Sequence, residues 1–204
     1  MMIERDPLNL MVCGTGGQGN VLLSRFLART FVKKGYRTTI GETFGVSQRG
    51  GAVMSHVRVS KKRSYGPLIP EGRGHVILSL EPMETLRVLG SFGNPEVAVI
   101  SNVRPVYPMA SITGENDYPD ITEMKRIIQE LSARCWFIDA TKISLEMGNP
   151  MLTNMAMVGA LLQTGEVNLS KSDIEAAMRE TFSDKVAETN MKALIRGIQA
   201  VESR

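Results

Sequence analysis

The spacing of apolar positions changes along the chain, and each change predicts an element. Residues 8–13 form a short apolar run that ends in glycines, the pattern of a buried strand. Val21, Leu22, Leu23, Phe26, Leu27 and Phe31 then recur at helical spacing, which predicts a helix over 20–34 capped by Gly35. Residues 36–41 read as a second strand, and the polar, glycine-bearing stretch 42–51 as a loop. Residues 52–60 alternate, with Val53, Val57 and Val59 on one face and His56 and Arg58 on the other. That is the signature of a half-buried strand with a polar outer face.

The second half continues the alternation and then stops it. Runs of Val, Ile and Leu predict strands over 75–80 and 97–101, with a helix opened by Pro82 between them. Residues 102–119 hold three prolines and read as a long loop. Asp120 with Glu123 opens a helix to about residue 133, and 135–139 is a strand ending on an acid. Beyond residue 141 only helices are predicted: 151–164 behind Asn149-Pro150 and ended by Gly165, one opened by Ser170 and Asp173, and 184–202. Strands alternating with helices predict a single α/β domain over residues 1–204. It is Rossmann-like, with a mostly parallel sheet, helices on both faces and a helical C-terminal third.

Composition narrows the function classes. With 204 residues, 43% of them hydrophobic, the chain is long enough to bury a core without disulfides or metal. Cys13, Cys135, His56 and His75 are its only soft ligands and are scattered, so neither a structural zinc site nor a cysteine-bound iron–sulfur cluster is expected. No run of about 18 apolar residues predicts a membrane span, and the acidic N-terminus is unlike a signal peptide. The expectation is a cytoplasmic protein with reduced thiols. The net charge of +3 hides an asymmetry: residues 25–73 hold eleven Lys/Arg against Glu42 and Glu71, a local +9, and the remainder sums to −6. Such a block points to an anion, an acidic partner or nucleic acid. Only 5% of the chain is aromatic, which argues against nucleic acid.

Two loops carry the candidate chemistry. Gly14, Gly16 and Gly19 make a G-x-G-x-x-G turn, with Gly17 and Gln18 inside it, between a strand and a helix. Backbone amides at such a turn approach an oxyanion, and the helix N-terminus favours it. The alternatives are a ligand-free tight turn and a dinucleotide site, with Glu42 as the ribose partner. Ser47, Gln48, Arg49, Gly50 and Gly51 form the second loop, where a guanidinium fork sits among flexible glycines. Ser55 and His56 are adjacent on a strand and face opposite ways, which excludes a nucleophilic pair. Cys13, beside the glycine turn, is read as packing rather than as a reactive thiol. Glu81 and Asp139 are read as helix caps, and Met147, Met151, Met155 and Met157 as core before partner surface.

Taken in order, Gly14–Gly19, then residues 45–51 (GVSQRGG), 55–58 (SHVR), 67–70 (PLIP) and 80–82 (LEP) resemble the gamma subunit or domain of the 2-oxoacid:ferredoxin oxidoreductases. Within that family the pattern is nearest to the small subunit of the indolepyruvate type. The resemblance runs from about Asn9 into the C-terminal helices. It implies a component of a complex that oxidatively decarboxylates a 2-oxoacid, here an aryl-pyruvate-like one, to acyl-CoA and reduces ferredoxin. It implies thiamine diphosphate and iron–sulfur clusters held by a larger partner subunit, and no cofactor, catalytic residue or metal held by this chain alone. It further implies coenzyme A at the subunit interface, placed on Gly14, Gly16, Gly17, Gln18, Gly19 and on Ser47, Gln48, Arg49, Gly50, Gly51. Two rival expectations are a self-contained NAD(P)-dependent oxidoreductase and a purely structural subunit that binds no small molecule.

Overall fold

The computed structural model describes residues 5–44, 51–115 and 117–201. Six strands form one sheet: β1 (Leu8–Thr15), β2 (Arg37–Phe44), β3 (Ala52–Ser60), β4 (Val76–Ser79), β5 (Ala98–Asn102) and β6 (Arg134–Ile138). Their spatial order is β2-β3-β1-β4-β5-β6. Strands β1, β4, β5 and β6 run parallel, whereas β3 is antiparallel to both β2 and β1. Five strands therefore share one direction, and β3 is the single reversal. The expected Rossmann-like sheet is present, with a hairpin strand wedged between β1 and β2.

All eight residues of β1 are buried, as a central strand covered on both faces demands. Leu8, Leu10 and Val12 enter one core, and Met11 and Cys13 enter the other. Helix α1 (Asn20–Lys33) covers the first face. Its buried stripe is Leu23, Phe26, Leu27, Ala28 and Phe31. Leu22, counted into that face by spacing, is instead 63% exposed. The second face is covered by α2 (Pro82–Phe92) and α4 (Ile121–Glu130), through Val88, Leu89 and Ile128. Between them in sequence, the 102–119 segment contains a short helix, α3 (Met109–Ile112).

The C-terminal helices all add to the first face. They are α5 (Ala140–Glu146), a single 3-10 turn (Pro150–Leu152), α6 (Thr153–Gln163), α7 (Lys171–Thr181) and α8 (Asp184–Gln199). Residues 154–161 of α6 are buried without interruption, so this helix lies inside the fold rather than on it. It can do so because α8 crosses it at backbone distance. A Cβ on Gly159 would lie 2.0 Å from the Leu194 carbonyl, and one on Gly197 would lie 1.9 Å from the Ala156 carbonyl. Met155 and Met157 pack in this core, whereas Met151 is 65% exposed.

The helix starts follow the predicted caps. Glu81 accepts from Glu84 N, Asp120 from Thr122 N and Glu123 N, and Ser170 with Asp173 forms a capping box. Asp139 also caps as read, accepting from Lys142 N to open α5, whose extent the apolar spacing did not mark.

Strand β3 corrects one expectation. Its polar face is not turned to water, because the 61–75 segment folds across it. His56 is 2% exposed; its Nδ1 accepts from Ile69 N at 3.2 Å and its ring meets Phe92 edge-on. Burial, with Arg58 nearby, lowers its pKa below the ordinary histidine value.

Candidate functional site

The parallel direction of β1, β4 and β5 places the loops that follow them at one end of the sheet, where α/β proteins hold ligands. The glycine turn sits there, between β1 and α1. Gly17 and Gly19 have φ of +100° and +80°, in the left-handed region. Gly19 is constrained twice, since a Cβ there would also lie 2.8 Å from the Asn154 amide of α6.

The turn is closed from within by its own side chains. Gln18 Oε1 accepts from Thr15 N at 2.8 Å, and its Nε2 donates to Leu80 O at 3.1 Å. Asn20 Nδ2 donates to Thr15 O at 3.1 Å, and Gly16 N donates to Gly51 O at 2.9 Å. The last bond brings the end of the second predicted loop against the first, as the topology required. Ser47, Gln48, Arg49 and Gly50 lie outside the described residues. Gln18 therefore acts on the loop's shape, with both ends of its amide committed.

What the turn leaves open is more informative. Thr15 Oγ1, Asn20 Oδ1 and Asn154 Oδ1 are buried and have no hydrogen-bond partner. Three such atoms around one turn are costly unless something supplies their partners. Helix α1 also begins with no side-chain cap and no acid in its first turn. Its orphan amides are thus available to an acceptor.

Beside the turn, a cavity of about 350 Å³ is lined by Thr15, Gly51, Glu81, Glu84, Arg87 and Tyr118, among others. Glu81, 1% exposed, is the most heavily bonded acid of its lining. One carboxylate oxygen accepts from Glu84 N at 2.9 Å; the other takes the Tyr118 hydroxyl and, at 3.4 Å, Val106 N. Burial and this bond hold the Tyr118 hydroxyl protonated, well above its ordinary pKa. The segment 102–119 is thus latched onto Glu81 at both ends. Burial pushes the Glu84 pKa up to about 7; Arg87, 3.3 Å away, works against this and Glu81 adds to it.

Several sequence candidates are settled by their surroundings. Glu42 is held by Arg25 through two bonds of 3.0 and 3.2 Å, and β3 separates its strand from β1. It is not placed to bond a ribose on the glycine turn. The Cys13 thiol is pushed up to about 12 by burial, so it packs and does not react. Among the described residues no three His, Cys, Asp or Glu side chains cluster as metal ligands, and two buried cysteines on β1 and β6 do not fit a four-thiolate cluster. No helix among the described residues is long and apolar enough to cross a membrane. Glu81 as a latch, Asn102 and Asn154 were not found from sequence. Each acts through a partner distant in the chain, and no local pattern marks them.

Fold and turn together define a Rossmann-like α/β domain with one antiparallel strand inserted beside β1. Three-dimensionally it is similar to pyruvate oxidoreductase subunit PORC of Thermotoga maritima (TM-score 0.71, 18% identity, covering 98% of this chain and 99% of that one). It is also similar to part of the 2-oxoglutarate:ferredoxin oxidoreductase of Magnetococcus marinus (TM-score 0.74, 22% identity, 97% of this chain and 31% of that one). The chain belongs to the pyruvate ferredoxin/flavodoxin oxidoreductase family, whose model matches residues 9–200. Among characterised relatives it is 36% identical to the indolepyruvate oxidoreductase subunit IorB of Pyrococcus horikoshii, over 95% of this chain and 96% of that protein. It is 28% identical to the common gamma subunit of the pyruvate/ketoisovalerate oxidoreductases of Pyrococcus abyssi, over 88% and 89%.

Proposed function

We propose that this chain is the cofactor-free subunit of a cytoplasmic 2-oxoacid:ferredoxin oxidoreductase of the indolepyruvate type. It works only in complex with a larger subunit that holds thiamine diphosphate and the iron–sulfur clusters. Its own task is to complete the coenzyme A site at the subunit interface. The observation that carries this reading is the unfinished state of the glycine turn. Three buried oxygen atoms and the uncapped start of α1 surround one spot at the carboxyl end of the sheet. A second molecule bringing donors and acceptors satisfies both. Exposed Leu22, Tyr107, Ile112 and Met151 belong to the elements around this end and supply apolar area for a partner.

Within the site the roles divide by charge. The α1 N-terminus, with Gly14, Gly16, Gly17 and Gly19, offers backbone amides, and the loop of Ser47, Gln48, Arg49, Gly50 and Gly51 brings one cation. These suit a phosphate group of coenzyme A. Gln18 holds the turn in shape. Glu81 and Glu84 make the adjoining cavity acidic, so it receives a neutral or donor-bearing part of a ligand or partner, not a phosphate. The Magnetococcus marinus enzyme was solved with coenzyme A and succinyl-CoA bound, which agrees with a role of this kind.

Arg49→Ala in the reconstituted complex tests the assignment. A raised KM for coenzyme A with the complex intact supports it. An unchanged KM with weakened assembly favours the second reading, a structural subunit, which the internal bonding of Gln18 and Asn20 recommends.

A further inference from the structure

Most of the basic block lies far from the glycine turn. Strand β3 runs from Ala52, opposite Thr15, to Val59, opposite Leu8. Its basic end is therefore roughly 23 Å from the turn, at about 3.3 Å per residue. At that end an open cavity of about 410 Å³ is lined by Arg5, Asp6, Arg58, Tyr65, Arg73 and His75, among others.

Arg58 is held in place by uncharged partners. Arg58 donates Nε to Asn9 Oδ1 and Nη1 to the Gly66 and Leu68 carbonyls, each at 3.1 Å. All three acceptors are uncharged. Its guanidinium lies 4.8 Å from the centre of the Tyr65 ring, and that of Arg63 lies 4.8 Å from the same centre. Among the described residues no carboxylate pairs with Arg58, Arg63 or Arg73, whereas Arg5 is shared with Glu166 at 3.7 Å. Asp6 is occupied by the Ser60 hydroxyl and, at 3.2 Å, by Lys61 N.

His75 adds a neutral donor. Its Nδ1 accepts from Asn9 N at 3.0 Å, which places the proton on Nε2. Burial first and Arg5 second depress its pKa to about 4; Glu96 opposes them, and Arg58 and Arg73 add smaller effects in the same direction as Arg5.

We propose that this cavity binds the phosphate group of a small phosphorylated molecule, at a site separate from the glycine turn. Planar guanidinium forks match phosphate oxygens, and Arg5, Arg58 and Arg73 line one opening together with the His75 imidazole. The inference stands on this end of the sheet alone and does not depend on the coenzyme A assignment.

The test is NMR titration of the full chain with inorganic phosphate, with adenosine 5′-monophosphate, and with adenosine as the phosphate-free control. The His75 ring signals are expected to move saturably with the first two and not with adenosine. The His75 pKa is expected to rise, because a bound anion favours imidazolium. Arg73→Gln, at an exposed position, is expected to weaken binding about tenfold, the loss of one charge-assisted contact, and Arg73→Lys to weaken it less. Lys192→Gln on α8 is expected to change nothing. Unchanged melting temperatures show that the variants are folded. Three results overturn the proposal: no saturation at millimolar phosphate, equal binding by Arg73→Gln, or a response to an acidic peptide or nucleic acid but not to phosphate.

Discussion

Gln18 and Asn102 donate to the same acceptor, the carbonyl oxygen of Leu80, each at 3.1 Å. One belongs to the turn after β1 and the other ends β5, the strands on either side of β4. Leu80 O is thus the point at which the glycine turn is tied to the rest of the carboxyl end. Asn102 extends the tie, donating to Thr141 Oγ1 at 3.0 Å and accepting from Ala140 N at 3.0 Å at the start of α5.

Removing either donor therefore loosens both sides. Asn102→Ala is expected to destabilise the fold by about 2 kcal/mol, since it strands the buried Ala140 N at the start of α5 and takes one of two donors from Leu80 O, and Gln18→Ala by about 1 kcal/mol. The double variant is expected to depart from additivity by at least about 0.5 kcal/mol. Urea denaturation of the three variants measures this.

Glu84 predicts a stability that falls with pH. A carboxyl whose pKa rises from 4.5 to about 7 on folding binds its proton more tightly in the folded chain. Its contribution is intact below pH 4.5 and is lost as the pH rises through 7, at a cost on the order of 2 kcal/mol. Glu84→Gln removes the ionisation. It is expected to raise the melting temperature at pH 8 and to leave it nearly unchanged at pH 4.5. Its ion pair with the exposed Arg87 guanidinium is a small loss against this.

The two histidines act in the opposite sense. Both have folded-state pKa values below the ordinary 6.5, that of His75 at about 4. Between those values the unfolded chain binds protons that the folded chain refuses. Stability is then full above pH 6.5 and declines as the pH falls toward 4. His75→Gln is expected to flatten the decline in melting temperature over that range.

The crossing of α6 and α8 tolerates no added atom. Gly197→Ala puts a methyl 1.9 Å from the Ala156 carbonyl and requires the helices to separate. A loss on the order of 3 kcal/mol is expected in urea denaturation.

The elements were legible where one local rule decides them. Caps at Glu81, Asp120 and Ser170 and the run of β1 are set by neighbours in sequence. Leu22 shows the limit of periodicity: it fits the apolar count of α1, but the helix turns it outward at the carboxyl end of the sheet. His56 shows the converse, a polar residue buried because a distant segment, 61–75, folds over it. The place of β3 between β2 and β1 was likewise hidden, since strand order is fixed by packing across the whole sheet. The glycine turn was found at once. The residues that give it meaning, Asn154 from α6 and Asn102 from β5, lie 135 and 84 positions or so from it in the chain and carry no motif. The basic block was visible as a number. Only the sheet showed that most of it gathers at the other end from the turn.

The central claim is that this chain completes another subunit. Co-purification of the tagged chain from its native host, followed by assay of the fraction for iron and thiamine diphosphate, tests that claim most directly. The account predicts a stable complex with a larger subunit that carries both. A chain that emerges alone, with neither iron nor thiamine diphosphate in the fraction, contradicts it.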